Sequence, residues 1–141
     1  MPYTGHAYDY QPHGGALQGA AALGLSAHAV IKTLVMQDEH ARPLIVLMHG
    51  DREISTRNLA RQLGKKHIEP AEANQAHKWT GYFVGGTSPF GCKTALPVYM
   101  ERSIAALDKI YINGGKRGFQ VIIRPQDLAV LNPQTVNVAV E

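Results

Sequence analysis

The sequence predicts an α+β fold built on a mixed β-sheet with short helices around it, and three observations carry that reading. Short β-branched or apolar runs alternate irregularly with short helical ones, and the repeating βαβ unit of a doubly wound parallel sheet is missing. The 14 glycines and 8 prolines fall between those runs, so no element is long. A chain of 141 residues, 45% hydrophobic and 18% charged, suits one domain spanning 1–141 with a sizeable core and argues against disorder.

The elements follow in order. Gly5 to Tyr10 reads as extended, and Pro12-His13-Gly14-Gly15 breaks it. Ala16 to Leu23 is rich in alanine and leucine and reads as a helix, with Gly24 at its C-cap. Ser26 can cap one further turn before Val30 to Met36, a β-branched, apolar strand. Leu44 to His49 is a second strand, ended by Gly50-Asp51. Ser55 caps a helix over Thr56 to Leu63, where Leu59, Ala60 and Leu63 share a face and Gly64 closes it. Lys66 to Glu69 is a brief extended piece, and Ala71 to Lys78 a polar helix. Tyr82-Phe83-Val84 reads as a strand running into Gly85-Gly86-Thr87-Ser88-Pro89-Phe90-Gly91. After Pro97-Val98-Tyr99 comes a short helix near Ser103 to Leu107. Lys109 to Ile112, the turn Asn113-Gly114-Gly115 and Phe119 to Ile123 read as a β-hairpin, with Asn-Gly supplying the positive φ of the turn. Pro125 opens a last short helix through Leu131.

Composition excludes several classes. No apolar run approaches the roughly 18 residues of a membrane span, so no membrane partner is expected. The N-terminus lacks the cationic-then-apolar pattern of a secretory signal. A single cysteine, Cys92, rules out an internal disulfide framework and suits the reducing cytoplasm. A net charge of +3 permits a polyanionic partner without requiring one.

Few residues stand out as chemistry. Lys32 sits mid-strand on the face of Val30, Leu34 and Met36, and a lysine there either snorkels past an edge or points into a polar pocket. The glycine run 85–91 lets backbone approach a ligand closely and aims N–H groups at one spot, as an oxyanion or phosphate requires; an ordinary surface loop is the bland alternative. Gly86 to Thr94 mimics a phosphate-binding P-loop, but Cys92 intrudes before Lys93, Pro89 removes an N–H and Pro97 interrupts the following helix. Lys116 and Arg117 put two cations at the hairpin tip, as a solvated turn or a phosphate contact. The seven histidines show no zinc-ligand spacing, and no metal or other cofactor is expected. Nothing near Cys92 supplies an activating base.

These segments together resemble a known family. Tyr8, Val30-Ile31-Lys32-Thr33-Leu34-Val35, Leu59 to Gly64, Thr80 to Gly91 and Ile112 to Gly118 follow the order and spacing of YbaK/ProX-type aminoacyl-tRNA editing domains, which are related to the insertion domain of bacterial prolyl-tRNA synthetase. The resemblance runs from about Tyr8 to Leu131 and rests most firmly on Lys32-Thr33 with Gly-Gly-x-Ser-Pro-x-Gly. It implies a partly barrel-like mixed sheet and a cytoplasmic trans-editing hydrolase. Such an enzyme cleaves the ester joining a wrong amino acid to tRNA, most typically cysteine on proline tRNA, with prolyl-tRNA synthetase as a possible partner. Lys32 matches the family's essential lysine, with Gly85, Gly86 and Thr87 as catalytic backbone. Tyr8, Thr33, Ser88, Pro89, Gly115 and Arg117 are the substrate-binding candidates. The alternatives are a deacylase for another small amino acid, such as alanine, and a tRNA-binding or synthetase-associated module without catalysis. Two departures stand out. Only residues 1–7 precede Tyr8, so the family's first helix is expected to be missing or truncated. Gln120 stands where some relatives carry an acid, which leaves the substrate subclass open.

Overall fold

The computed structural model describes residues 4–7, 27–83, 86–116 and 119–140. The helix expected over Ala16 to Leu23 and the segments around Tyr8, Gly85 and Arg117 lie outside them.

The central pair is β2 (Val30–Asp38) and β3 (Pro43–His49), antiparallel from Ile31↔His49 to Gln37↔Pro43. Both strands are rich in Val, Ile and Leu because most of their side chains are buried on the two faces of the sheet. β1 (Thr4–Ala7), β5 (Ile68–Pro70), β6 (Val98–Glu101), β7 (Ile110–Asn113), β8 (Phe119–Ile123) and β9 (Gln134–Val136) complete an eight-stranded sheet. Its order is β1-β8-β7-β2-β3-β6-β9, with β5 paired to the end of β2. Pairing is parallel for β2–β7, β3–β6 and β6–β9 and antiparallel elsewhere, so the expected mixed sheet is present. Among the described residues the sheet path ends at β1 on one side and β9 on the other. A separate two-stranded ribbon joins β4 (Glu53–Ile54) to β10 (Ala139–Val140).

Alternation along the strands produces two cores. Ile31, Ile45, Leu47, Val98, Ile110, Ile112, Val121 and Ile123 face one side, under the 3₁₀ helices Arg102–Ala106 and Pro125–Leu131, which contribute Ile104 and Leu128. Met36, Leu44, Val46 and Met48 face the other side and meet Leu59 and Ala60 of α1 (Thr56–Leu63). That helix forms as its sequence dictates: the Asn58 N–H donates to Ser55 Oγ, and Gly64 takes the left-handed conformation at φ 69°.

Three expectations need correction. The polar helix α2 runs Ala73–Thr80, later than 71–78, because the Ala71 N–H donates to the Val35 carbonyl and prolongs sheet pairing past Pro70. Tyr82 and Phe83 form no strand. The Tyr82 N–H donates to Thr80 Oγ1 and its carbonyl accepts from His77 Nδ1, so local bonds use the groups a ladder would need. The hairpin forms as expected, but among the described residues its positive φ is at Gly115, 113°, and at neither Asn113 nor Gly114.

Candidate active site

Among the described residues β2 has a gap along one edge. β7 pairs with it only at Val30 and Ile31, and β5 only from Met36 to Asp38. Lys32 to Leu34 therefore lie between the two partner segments, since the Val35 carbonyl is taken by the Ala71 N–H, and all three are half-buried. A strand edge without a neighbour strand admits a ligand without unzipping a ladder.

Lys32 shares its face with Leu34 and Met36 on one side and Val30 on the other, and those residues belong to two separate apolar clusters. Its ammonium thus falls where the apolar lining breaks. Among the described residues its partner is Glu53, 3.4 Å away, which is 76% exposed while the lysine side chain is only 20% exposed. The snorkelling alternative is only partly met: the stem is covered, and the head pairs with an acid that a competing anion can displace.

Register adds two residues that the sequence did not single out as a pair. Ile31↔Ile112 in β2–β7 and Asn113↔Gln120 in β7–β8 bring Lys32, Asn113 and Gln120 to one level across three adjacent strands. Alternation puts all three on one face, since Ile31, Ile112 and Val121 face the opposite core. Asn113 and Gln120 are buried polar residues. The result is a polar row crossing an otherwise apolar face. Thr33 points to the other face, where its Oγ1 is buried without a hydrogen-bond partner among the described residues. Lys32 and Thr33 can contact one substrate only at the open edge.

Asn113 also shapes the hairpin tip. Its Oδ1 accepts from the Gly115 N–H and its Nδ2 donates to the Lys116 carbonyl. A Cβ on Gly114 would overlap the Phe119 ring, so the tip closes only without a side chain there. The tip meets the glycine loop through Tyr82: a Cβ on Gly115 would lie 3.1 Å from its ring, and its hydroxyl donates to the Phe90 carbonyl. Within the loop Gly86, Ser88 and Pro89 are buried, while Thr87 is half-buried with its Oγ1 3.5 Å from the Phe83 carbonyl. Ser88 Oγ accepts from the Phe90 N–H. The Gly86 N–H is committed to the Phe83 carbonyl at 2.8 Å and is not free for an oxyanion. Phe90 and Cys92 pack on the Ile31 core, and burial pushes the Cys92 thiol above its ordinary pKa.

The structure therefore joins the glycine loop at Phe90 to Gly115 through Tyr82, and brings Lys32 level with Asn113 and Gln120 across β2, β7 and β8. Tyr8, Gly85 and Arg117 lie outside the described residues. Sequence reading passed over Tyr82, whose aromatic ring between a C-cap glycine and a glycine loop was the available signal.

A second polar chain imitates a catalytic triad. His49 Nε2 lies 2.7 Å from Ser103 Oγ, which lies 2.9 Å from Glu101 Oε2. The serine stands between histidine and carboxylate, however, whereas nucleophilic catalysis needs the histidine in the middle. Burial raises the Glu101 pKa, but the N–H groups of Val138, Ser103 and Ala139 and the Ser103 hydroxyl together bring it below its ordinary value. Burial pushes the His49 imidazole down, and its Nδ1 bonds the His28 carbonyl. With His49 and Glu101 both fully buried, this chain ties β6 to the segment before β10 rather than serving a substrate. Among the described residues no group of three or more His, Cys, Asp or Glu is placed to hold a metal ion.

The sequence profile described as the aminoacyl-tRNA editing domain matches residues 14–131, and the chain belongs to that family of aminoacyl-tRNA deacylases. It is similar to EbsC of Enterococcus faecalis, a protein proposed by its name to be a Cys-tRNA(Pro)/Cys-tRNA(Cys) deacylase. The two are 29% identical over 132 residues, covering 93% of this chain and 80% of the relative. It is also 29% identical over 102 residues to the proline–tRNA ligase of Streptococcus equi subsp. zooepidemicus, covering 72% of this chain but only 16% of the ligase. A solved structure described as a trans-editing enzyme candidate for prolyl-tRNA synthetase superposes with a TM-score of 0.82 at 22% identity, covering 94% of this chain and 85% of the other, and shows the shared fold.

Proposed function

We propose that this protein deacylates mischarged tRNA in trans, with Cys-tRNA(Pro) as its substrate, in the cytoplasm. The observation that carries the reading is the polar row Lys32–Asn113–Gln120 beside the open edge of β2, next to a tip that holds the glycine loop. An aminoacyl ester is already activated, so hydrolysis needs positioning and charge stabilisation more than a strong nucleophile. In this reading Lys32 leaves Glu53 for the terminal phosphate or the ester carbonyl. Gly85, Gly86 and Thr87 frame that carbonyl, Gly86 more by lacking a side chain than through its committed N–H. Thr33, Ser88, Pro89 and Gly115 line the approach, and Tyr8 and Arg117 take the substrate contacts that the family pattern gives them. The attacking group is water or the cysteinyl thiol itself. In the second case sulfur bonds the carbonyl carbon, the ester C–O bond breaks, the thiol proton passes to the ribose oxygen, and water later opens the thiolactone. The EbsC relationship and the similarity to proline–tRNA ligases support proline tRNA as the carrier.

The deciding experiment is a deacylation panel of cysteinyl, alanyl, seryl and prolyl esters on proline tRNA and on each cognate tRNA. Preferential hydrolysis of Cys-tRNA(Pro) is expected. Preference for Ala-tRNA(Pro) would reassign the substrate, and no hydrolysis of any ester would leave a tRNA-binding module.

A further inference from the structure

We propose that the Phe83 ring, backed by His77, is a stacking platform for the unpaired terminal adenine of the tRNA acceptor end; this rests on the deacylase reading above. Phe90 and Phe119 pack against the core, but Phe83 is 65% exposed. It is not loose. One ring face stacks on His77 with centroids 4.3 Å apart and planes 16° from parallel. His77 is fixed in turn by its Nδ1, which donates to the Tyr82 carbonyl. A flat, pre-ordered ring with its other face open is what a nucleobase needs, and every base has a π-face to offer it.

Position and charge select the occupant. The Phe83 carbonyl accepts the Gly86 N–H at 2.8 Å, so the ring stands one turn from the loop assigned to the ester carbonyl. The ester sits on the ribose of the terminal nucleotide, whose own base is the aromatic group nearest to it. The surroundings also suit a phosphate-linked ligand. No carboxylate occurs between Glu72 and Glu101, while the exposed Lys78 and Lys93 flank the platform in sequence. The Lys93 backbone is pinned beside it by its N–H bond to the Thr80 carbonyl. An apolar protein partner would gain nothing from that one-sided charge.

The test has two arms. First, the wild type is titrated with an unacylated CCA trinucleotide by NMR, where stacking on Phe83 shifts the adenine H2 and H8 resonances upfield. Second, deacylation of an aminoacylated minihelix is measured for Phe83→Ala, Phe83→Leu and Phe83→Trp, each checked for folding by circular dichroism. Phe83→Ala and Phe83→Leu should raise KM about five- to a hundredfold, the scale of one base–aromatic stack, with kcat nearly unchanged. Phe83→Trp should hold or lower KM, and Phe83→Ala should lose the upfield shifts. A wild-type KM in folded Phe83→Ala, or unshifted adenine protons in the saturated wild type, would overturn the platform and leave the deacylase reading standing. Shifts that need Phe83 in a protein that hydrolyses no ester would support the platform and overturn the deacylase reading.

Discussion

Replacing Lys32 separates its chemistry from its structural part, because the geometry assigns the two very different sizes. The ammonium meets Glu53 at 3.4 Å, and Glu53 is 76% exposed. An ion pair with one partner so open to solvent contributes about 0–1 kcal/mol to stability. The stem is worth more, since the side chain is only 20% exposed, and Lys32→Met retains that apolar cover. Folding stability of Lys32→Met should therefore stay within about 1 kcal/mol of wild type. Turnover should fall much further. A charged donor aimed at developing negative charge resembles an oxyanion-hole group, whose loss costs about 2–4 kcal/mol, or about 30- to 1,000-fold in rate. Lys32→Ala should lose at least as much turnover, plus the packing of the stem. The assay pairs urea unfolding with single-turnover deacylation on the same preparation. A folded Lys32→Met enzyme working at near wild-type rate would refute the role assigned to the ammonium.

Three further outcomes are expected. Cys92→Ser should keep its rate within a few-fold, because burial raises the thiol pKa and Sγ rests 3.5 Å from the Ser88 carbonyl; a loss of about a hundredfold in a folded protein, the scale of general acid–base catalysis, would move the chemistry onto an enzyme thiol. Burial pushes the Asp38 carboxyl up, but the Arg42 N–H, the Lys65 ammonium at 3.1 Å and the His40 N–H outweigh it and bring the pKa to about 2. With the folded value below the unfolded one, the carboxylate stabilises the fold above about pH 4 and loses about 1–2 kcal/mol as pH falls toward 2, and the difference between wild type and Asp38→Asn in urea titrations should shrink over that interval. Gly114→Ala should cost about 1–3 kcal/mol in the same assay, because its methyl would enter the Phe119 ring; unchanged stability would show that the tip is not closely packed.

Much of the fold was legible because its signals are local. The β-branched run 30–36, the apolar run 44–48 and the pair Ser55 and Gly64 around a one-faced helix each need only their own neighbours to be read, and each element forms. Tyr82-Phe83 misleads for an equally local reason that pattern does not reveal: Thr80 and His77 capture the Tyr82 backbone before any strand can. The site divides similarly. Lys32 is conspicuous as a cation in an apolar strand, and the glycine loop is conspicuous by composition. What joins them to the rest is not written locally. Tyr82 touches Gly115, 33 positions away, only because α2 ends and the hairpin turns where they do.

The polar row makes the same point more sharply, since it depends on the parity of three strands. Val121, one residue after Gln120, faces the core that holds Ile31 and Ile112, so a one-residue slip of β8 against β7 would bury Gln120's amide among isoleucines and expose Val121 toward Lys32. The hairpin tip prevents that slip. Asn113 grips both Gly115 and Lys116, the Gly114 N–H donates to the Phe119 carbonyl at 3.0 Å, and Gly114 admits Phe119 because it carries no side chain. Residues 113–116 thus fix the register that brings Gln120 level with Lys32, and the same turn presents Gly115 to Tyr82 and through it to the glycine loop. A change at Gly114 should accordingly reach the site as well as stability, because the turn that sets the register also carries the contact to the loop.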